Sequence, residues 1–452
     1  MSLHAAACLL LCLSLSSVLT ASPCTSTPTS LLDVPWLSCR TSEIIAGCQI
    51  NATDGTRLFT PDAQHSYGAQ WTRDFFYAVQ YAHELFPVSV PVAAGTAAGE
   101  MGRGDLVKAA VRATFRGQRA DGCMPDRVRA DGRAVMAPGA MRPNNARNPN
   151  HDHAWDNGPF GALLLAATAR AWPDDVEGVP TTATATTVPF FCELEPGARR
   201  ALDFVNRSAT SGLVFNDVDF PNATYGFTDT VAKTGELLFT SLLFVDASRQ
   251  LAALATQYRC GDAARYAREA AAVGASVDRL VDPHGPLWLA ASHDNAFPDV
   301  WGSAYLVSLN LSTPARRAAA MLELVENKER YFQNGQARSL PFPQYWQRCC
   351  WTPDCAPNST RSVGCAAEGT YQNGAYWATP MPYLVEALSA TGHADFAREL
   401  VGACVADFKR YGVFEDVNHR RLKPPSFGVL NYTASATNVL WAAKMLNALD
   451  VD

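Results

Sequence analysis

Apolar residues recur at helical spacing along almost the whole chain, and strand-like alternation is scarce. That pattern does most to limit the fold. Candidate helices fall at 74–85, 105–115, 158–171, 196–206, 235–258, 263–280, 300–308, 314–326, 374–391, 394–411 and 434–449. Turn signals separate them, among them Asp121-Gly122, Asp131-Gly132, Asp282-Pro283-His284-Gly285 and the stretch 361–369. Eleven or twelve helices spread this evenly predict helical hairpins of roughly 70 residues each. No strict repeat is visible, which excludes a solenoid of short helical units. No linker divides the chain, and the Thr/Ala run 181–187 reads as a surface insertion. The expectation is one all-α domain over 22–452, and the 48 % hydrophobic content is ample for its core.

Residues 1–21 read as a secretory signal. An apolar run holds Leu9, Leu10, Leu11, Leu13 and Leu15, and small residues Thr20, Ala21 and Ser22 follow, although His4 stands where a basic segment is usual. No later stretch approaches the ~18 uninterrupted apolar residues of a membrane span. Sequons at Asn51, Asn206, Asn222, Asn310, Asn358 and Asn431 agree with a secreted or lumenal glycoprotein. Cys8 and Cys12 lie in the signal, and the odd number remaining leaves at least one cysteine without an intrachain partner. Cys349, Cys350, Cys355 and Cys365 cluster in one loop, where an oxidising compartment favours local disulfides over a zinc knuckle. The net charge of −6 carries no basic block, which argues against nucleic acid and anionic membrane surfaces as partners.

Loops ahead of helices repeatedly pair an aromatic with a carboxylate or amide. They are Trp71–Asp74, Trp155-Asp156-Asn157-Gly158, Tyr225–Asp229, Asp299-Val300-Trp301, Tyr371-Gln372-Asn373-Gly374 and Phe414-Glu415-Asp416. Asp and Asn are ordinary helix N-caps, but capping needs no aromatic beside it. Alternating hairpins would gather these helix starts at one mouth. In Gln70-Trp71-Thr72-Arg73-Asp74-Phe75 the pattern suits a neutral polyol: an indole face covers a sugar ring and charged groups take its hydroxyls.

These loops, in this order, resemble those of the six-hairpin glycosidases, the (α/α)6 toroid of glucoamylases, trehalases, neutral invertases and processing glucosidases. Gln70–Asp74 resembles the Trp-x-Arg-Asp loop that binds the non-reducing sugar in glucoamylases. Asp156-Asn-Gly-Pro-Phe-Gly-Ala-Leu is similar to their Asn-Asp-Gly-Pro-Ala-Leu segment. Tyr225–Asp229 falls where trehalases and processing glucosidases place the general acid. Tyr371-Gln-Asn-Gly-Ala-Tyr-Trp377 resembles a loop of invertases and debranching enzymes, and Glu415 falls where the superfamily has its general base. The trehalase signature is incomplete, and Thr228-Asp229-Thr230 replaces a glutamate pair of glucoamylases, so the resemblance is to the superfamily. It implies a carbohydrate substrate, an α-linked glucoside or related sugar, and inversion at the anomeric carbon.

Glycosidic hydrolysis needs a protonated carboxyl on the leaving oxygen and an ionised one to activate water. Asp229 is the expected acid, its pKa raised by an apolar wall of Tyr225 and Phe227. Glu415 is the expected base, oriented or held ionised by Asp416 and Arg420. Trp71, Arg73, Asp74, Trp155, Asp156, Tyr371, Asn373 and Trp377 are the expected sugar contacts, with Asp156 the rival for the acid. His151-Asp152-His153 lacks the further ligands a metal site needs, and no cofactor motif is present. Arg103-Gly104-Asp105 reads as a helix start, with Asp105 the cap. Two other functions fit the same fold. An inactive sugar-binding toroid would lose one of the two carboxyls. A polysaccharide lyase would need a Tyr/His or Asn/His pair and a cationic cleft.

Overall fold

A computed structural model describes residues 24, 31–87, 89–91, 100–138, 153–174, 188–348, 366–418 and 426–449. The signal segment, His151, Asp152, the run 181–187, the cysteines from Cys349 to Cys365, the Asn358 sequon and Arg420 lie outside the described residues.

Twelve α-helices carry the described fold, and they alternate between two kinds. α1 (Val34–Gly47), α3 (Arg103–Arg116), α5 (Phe190–Phe204), α7 (Ala263–Gly274), α9 (Pro314–Glu326) and α11 (Ala394–Tyr411) are amphipathic. α7 buries only Tyr266, Ala270 and Val273, one stripe at helical spacing. The others are α2 (Thr72–Ala82), α4 (Asn157–Ala171), α6 (Leu238–Tyr258), α8 (Val300–Ser308), α10 (Met381–Ala390) and α12 (Thr433–Ala448). These are buried on nearly every side. α4, for instance, is buried without a break from Asn157 to Ala169. A helix wetted on no side must be enclosed. The six enclosed helices pack in a ring, α2 on α4, α4 on α6, and so on to α10 on α12 and α12 back on α2, with the amphipathic helices outside them. This is the expected all-α (α/α)6 toroid.

The seam lies between the first and last hairpins. The Thr433 amide donates to the Pro61 carbonyl (2.7 Å), and the α1 side chain Thr41 reaches the Ala436 carbonyl on α12. The hole of the ring is filled by aromatics. Tyr77 shares hydrogen bonds with Tyr225 (3.3 Å) and Tyr383 (3.0 Å), and Phe160, Phe239, Trp301 and Trp377 pack around them. The toroid is therefore a cup with an aromatic floor.

Every inner helix follows an outer one, so the loops leading into inner helices share one end. All six aromatic-bearing loops belong to this set. Short strands brace them: Ala69–Trp71 pairs with Arg127–Arg129, Phe215–Asn216 with Gly235–Glu236, and Val417–Asn418 with Ser426–Phe427.

Several boundaries differ from expectation. α1 is an added helix, although Asp33 caps it by accepting from the Trp36 amide and Pro35 stands in its first turn. α5 begins six residues before the expected Pro196, because Phe190 and Phe191 are buried and the Cys192–Cys260 disulfide holds its first turn. α10 starts at Met381 rather than 374. Bridges from Tyr376 to Val417 and from Trp377 to Ala337 hold the chain extended until Pro380. Asp105 lies within the first turn of α3, and Gly102 is the cap.

The described disulfides are Cys24–Cys39 and Cys192–Cys260, neither in the cluster singled out from sequence. Asn51, Asn206 and Asn310 are exposed, whereas Asn222 is buried and closed to glycosylation in the folded chain. α6 is long and apolar enough to cross a membrane, but it is an inner helix packed within the ring.

Candidate active site

A cavity of about 240 Å³ opens among the loops above the aromatic floor. Pro61, Tyr67, Trp71, Arg73, Asp74, Gly226, Phe227, Asp229, Thr230, Tyr371, Glu415 and Tyr432 line it. Six of the ten site residues expected from sequence thus meet in one place: Trp71, Arg73, Asp74, Asp229, Tyr371 and Glu415.

Trp71 ends a strand whose register sets it opposite Arg127. The Arg127 guanidinium lies 4.6 Å over the indole centroid, and Tyr67 meets the ring edge-on at 5.3 Å. One indole face is therefore already covered. Asp74 follows in the first turn of α2, where the helix N-terminus favours negative charge. Its Oδ1 accepts from the Tyr432 hydroxyl at 2.6 Å. Burial pushes its pKa up to about 6, against the pull of that bond and of Arg73.

Arg73 is buried in a knot of acceptors. Nη1 donates to Asp126 (2.7 Å), Nε and Nη2 to Asp156 (3.2 and 3.3 Å), and Nη2 also to Asn157 (3.0 Å). A guanidinium has five N–H groups, and four are spoken for. It can offer a ligand one. Gly226 packs flat on this guanidinium, where an added Cβ would stand 1.9 Å from its central carbon.

Asp229 follows a 3-10 turn, Gly226–Thr228, and is 6 % exposed. Its Oδ1 accepts from Gln372 Nε2 at 2.7 Å, and its Oδ2 has no protein partner among the described residues. Burial raises its pKa to about 7, opposed by the Gln372 bond and by Arg73. The expected apolar wall is there in Phe227, while Tyr225 turns inward against Phe239.

Glu415, across the mouth in the loop before α12, is 4 % exposed. The Tyr67 hydroxyl donates to both its oxygens (2.8 and 2.7 Å). Burial raises its pKa well above the ordinary range, and Asp416 and Asp74 raise it further, with Tyr67 opposing. Asp416 therefore does not help hold Glu415 ionised. A second buried negative charge beside Glu415 disfavours its ionised form. Tyr67 and the Val429 backbone are what favour the ionised form.

Four expected contacts lie behind the wall. Asp156 has no exposed surface, and its oxygens serve Arg73 and the Gly226 amide (2.7 Å). Trp155 donates to Asn216 and packs on His153 and Phe204. Asn373 accepts from the Trp346 amide. Trp377 belongs to the aromatic floor, against Tyr371, Phe227 and Trp301. Sequence reasoning missed Tyr67, Asp126 and Tyr432. Tyr67 and Tyr432 sit just ahead of inner helices, as the recognised aromatics do, and that position was the signal. Asp126 carried none, because strand pairing alone brings it to Arg73.

No family model and no curated protein matches the chain. Solved structures do. A rhamnosidase from Klebsiella oxytoca with rhamnose bound superimposes with a TM-score of 0.58 at 14% identity over 90% of this chain. A GH63 mannosylglycerate hydrolase from Thermus thermophilus in complex with glucose does so at 0.57 and 15%, again over 90%. An uncharacterised conserved protein from the same organism gives 0.58 and 14%. The chain spans 64% of the rhamnosidase and 99% of each of the other two. Ring closure and these likenesses together define the fold as an (α/α)6 toroid. At such identity they define the fold alone.

Proposed function

We propose that this chain is a glycoside hydrolase that cleaves an α-linked glucoside or related neutral sugar by general acid/base catalysis with inversion, Asp229 acting as acid and Glu415 as base. One observation carries the reading: two carboxyls from opposite loops line one cavity with aromatic rings, and one Asp229 oxygen has no protein partner among the described residues. The cavity is smaller than the roughly 300–1,000 Å³ of drug-sized sites, which suits a single terminal sugar ring. Its lining cation, Arg73, is already paired with carboxylates, which speaks against the cationic cleft of a lyase. The neighbouring hydrolases hold rhamnose and glucose, which supports a pyranose.

In this reading Asp229 gives its proton to the leaving oxygen while Glu415 takes one from the attacking water. Asp74, Trp71 and Tyr371 bind the sugar, and Asp156 acts by holding Arg73. The apolar N-terminal segment, the two disulfides and the exposed sequons support export into an oxidising compartment. The test is incubation with maltose, trehalose, sucrose and aryl α-glucosides and α-rhamnosides, following the first-formed anomer by NMR. Release of the β-anomer from an α-glucoside is expected. Retention would overturn the acid/base pairing, and binding without turnover would favour the inactive sugar-binding toroid.

A further inference from the structure

The amide of Gln372 is held at both ends. Its Oε1 accepts from the Thr230 backbone N–H (2.7 Å) and from Thr230 Oγ1 (2.8 Å). Its Nε2 donates to Asp229 Oδ1 (2.7 Å) and to the Gly226 carbonyl (3.3 Å). A backbone N–H can only donate, so the Thr230 amide fixes which end of Gln372 faces it. The carboxamide cannot flip without setting two donors nose to nose. The loop behind it is fixed as well, since Trp346 Nε1 donates to the Gln372 carbonyl (3.0 Å) and Tyr371 is held at φ +42°. Non-glycine residues rarely adopt that conformation, and such strain gathers at functional sites.

From this geometry we infer that Gln372 is a positioning residue that decides which oxygen of Asp229 carries the proton. In a neutral carboxyl the carbonyl oxygen is the strong acceptor and the hydroxyl oxygen a weak one, so an N–H aimed at Oδ1 favours Oδ1 as the carbonyl. The acidic proton then sits on Oδ2, the oxygen without a protein partner among the described residues. The inference rests on the reading of Asp229 as general acid. In the reaction the Oδ2–H bond breaks as the proton passes to the glycosidic oxygen. That oxygen keeps the electron pair of its broken bond to the anomeric carbon. Water attacks that carbon and loses its proton to Glu415. Oδ1, still bonded to Gln372, carries part of the charge left on Asp229. Gln372 therefore both directs the proton and stabilises the carboxylate that remains.

The test is Gln372→Met, with two readouts. Isotope-edited infrared titration of the Asp229 carboxyl should show its pKa raised by about one pH unit or more, since a donor to the charged form has been lost. In kinetics the alkaline limb, which reports loss of the acidic proton, should move up in pH. kcat/KM should fall about tenfold further for alkyl than for nitrophenyl glycosides, because poor leaving groups need protonation most. Thr230→Val removes one of the two donors holding the amide and should give the same changes in smaller degree, which covers a Gln372→Met that does not fold. An unmoved Asp229 titration with unchanged leaving-group dependence would overturn the inference. If the wild-type chain hydrolyses nothing while the titration shifts as expected, the glycosidase reading has failed and the Gln372 contact stands.

Discussion

Asp156 stands just ahead of α4 and Asp229 in the loop ahead of α6. Both follow aromatics, both are buried, and both have raised pKa values. Their hydrogen bonds separate them. The oxygens of Asp156 are taken by Arg73 and the Gly226 amide, which locks two loops together. Asp229 lines the cavity and gives one oxygen to Gln372, while the other has no protein partner among the described residues. Burial alone does not make a carboxyl reactive. A buried carboxyl with both oxygens engaged is a tie, and one that keeps an oxygen open can exchange a proton with a ligand.

The sharpest test of this contrast is at the two expected catalytic carboxyls. Asp229→Asn and Glu415→Gln should each lower kcat by about 10²–10⁴-fold. Their thermal midpoints at pH 7.5 should stay level or rise, because a carboxyl that resists ionisation has been removed. Good leaving groups should partly rescue Asp229→Asn and leave Glu415→Gln dead. If instead Asp156→Asn shows that rescue and Asp229→Asn stays active, the roles are reversed and the comparison is broken.

Asp156→Asn should act on stability. It takes charge from a buried pair with Arg73, a change worth about 3–5 kcal/mol in denaturant unfolding. An unaltered unfolding midpoint would show that Asp156 is not a tie.

The pH dependence of stability sharpens the picture further. Asp74, Asp229 and Asp416 are raised to about 6, 7 and 7 in the folded chain, above their unfolded values, and Glu415 is raised as well. Between about pH 4 and 7 the folded state then binds more protons than the unfolded one. Stability should fall as pH rises through that window. Thermal melts at pH 5 and 7.5 should show the higher midpoint at pH 5, and Asp229→Asn should narrow the gap. A higher midpoint at pH 7.5 would contradict these pKa directions.

The smallest effect expected is at Asp416. Its charge raises the pKa of Glu415, so Asp416→Asn should move the acidic limb of the kcat/KM profile to lower pH. A shift to higher pH would mean that Asp416 stabilises the ionised base after all.

Much of this was legible beforehand. The contrast between α4, apolar on every face, and α7, with one apolar stripe, stands in the residues themselves. So do the boundaries of α8, α9 and α11, where Asp299, Thr313-Pro314 and Gly412 mark starts and a stop. The start of α10 was not legible, because apolar periodicity from Gly374 hides two β-bridges to distant segments.

Local chemistry marked where α8 and α9 begin and where α11 ends, and alternation of enclosed and amphipathic helices fixed that the aromatic loops share one end. Those properties depend on neighbours a few residues apart, so the sequence determined them alone. The roles within the cavity depend on hydrogen bonds between residues far apart in the chain. Arg73 finds Asp126 and Asp156, Asp229 finds Gln372, and Glu415 finds Tyr67 only once the ring has closed. Which of two similar aspartates keeps an oxygen open was decided there, because lone pairs are allotted by three-dimensional contact and spacing along the chain does not record it.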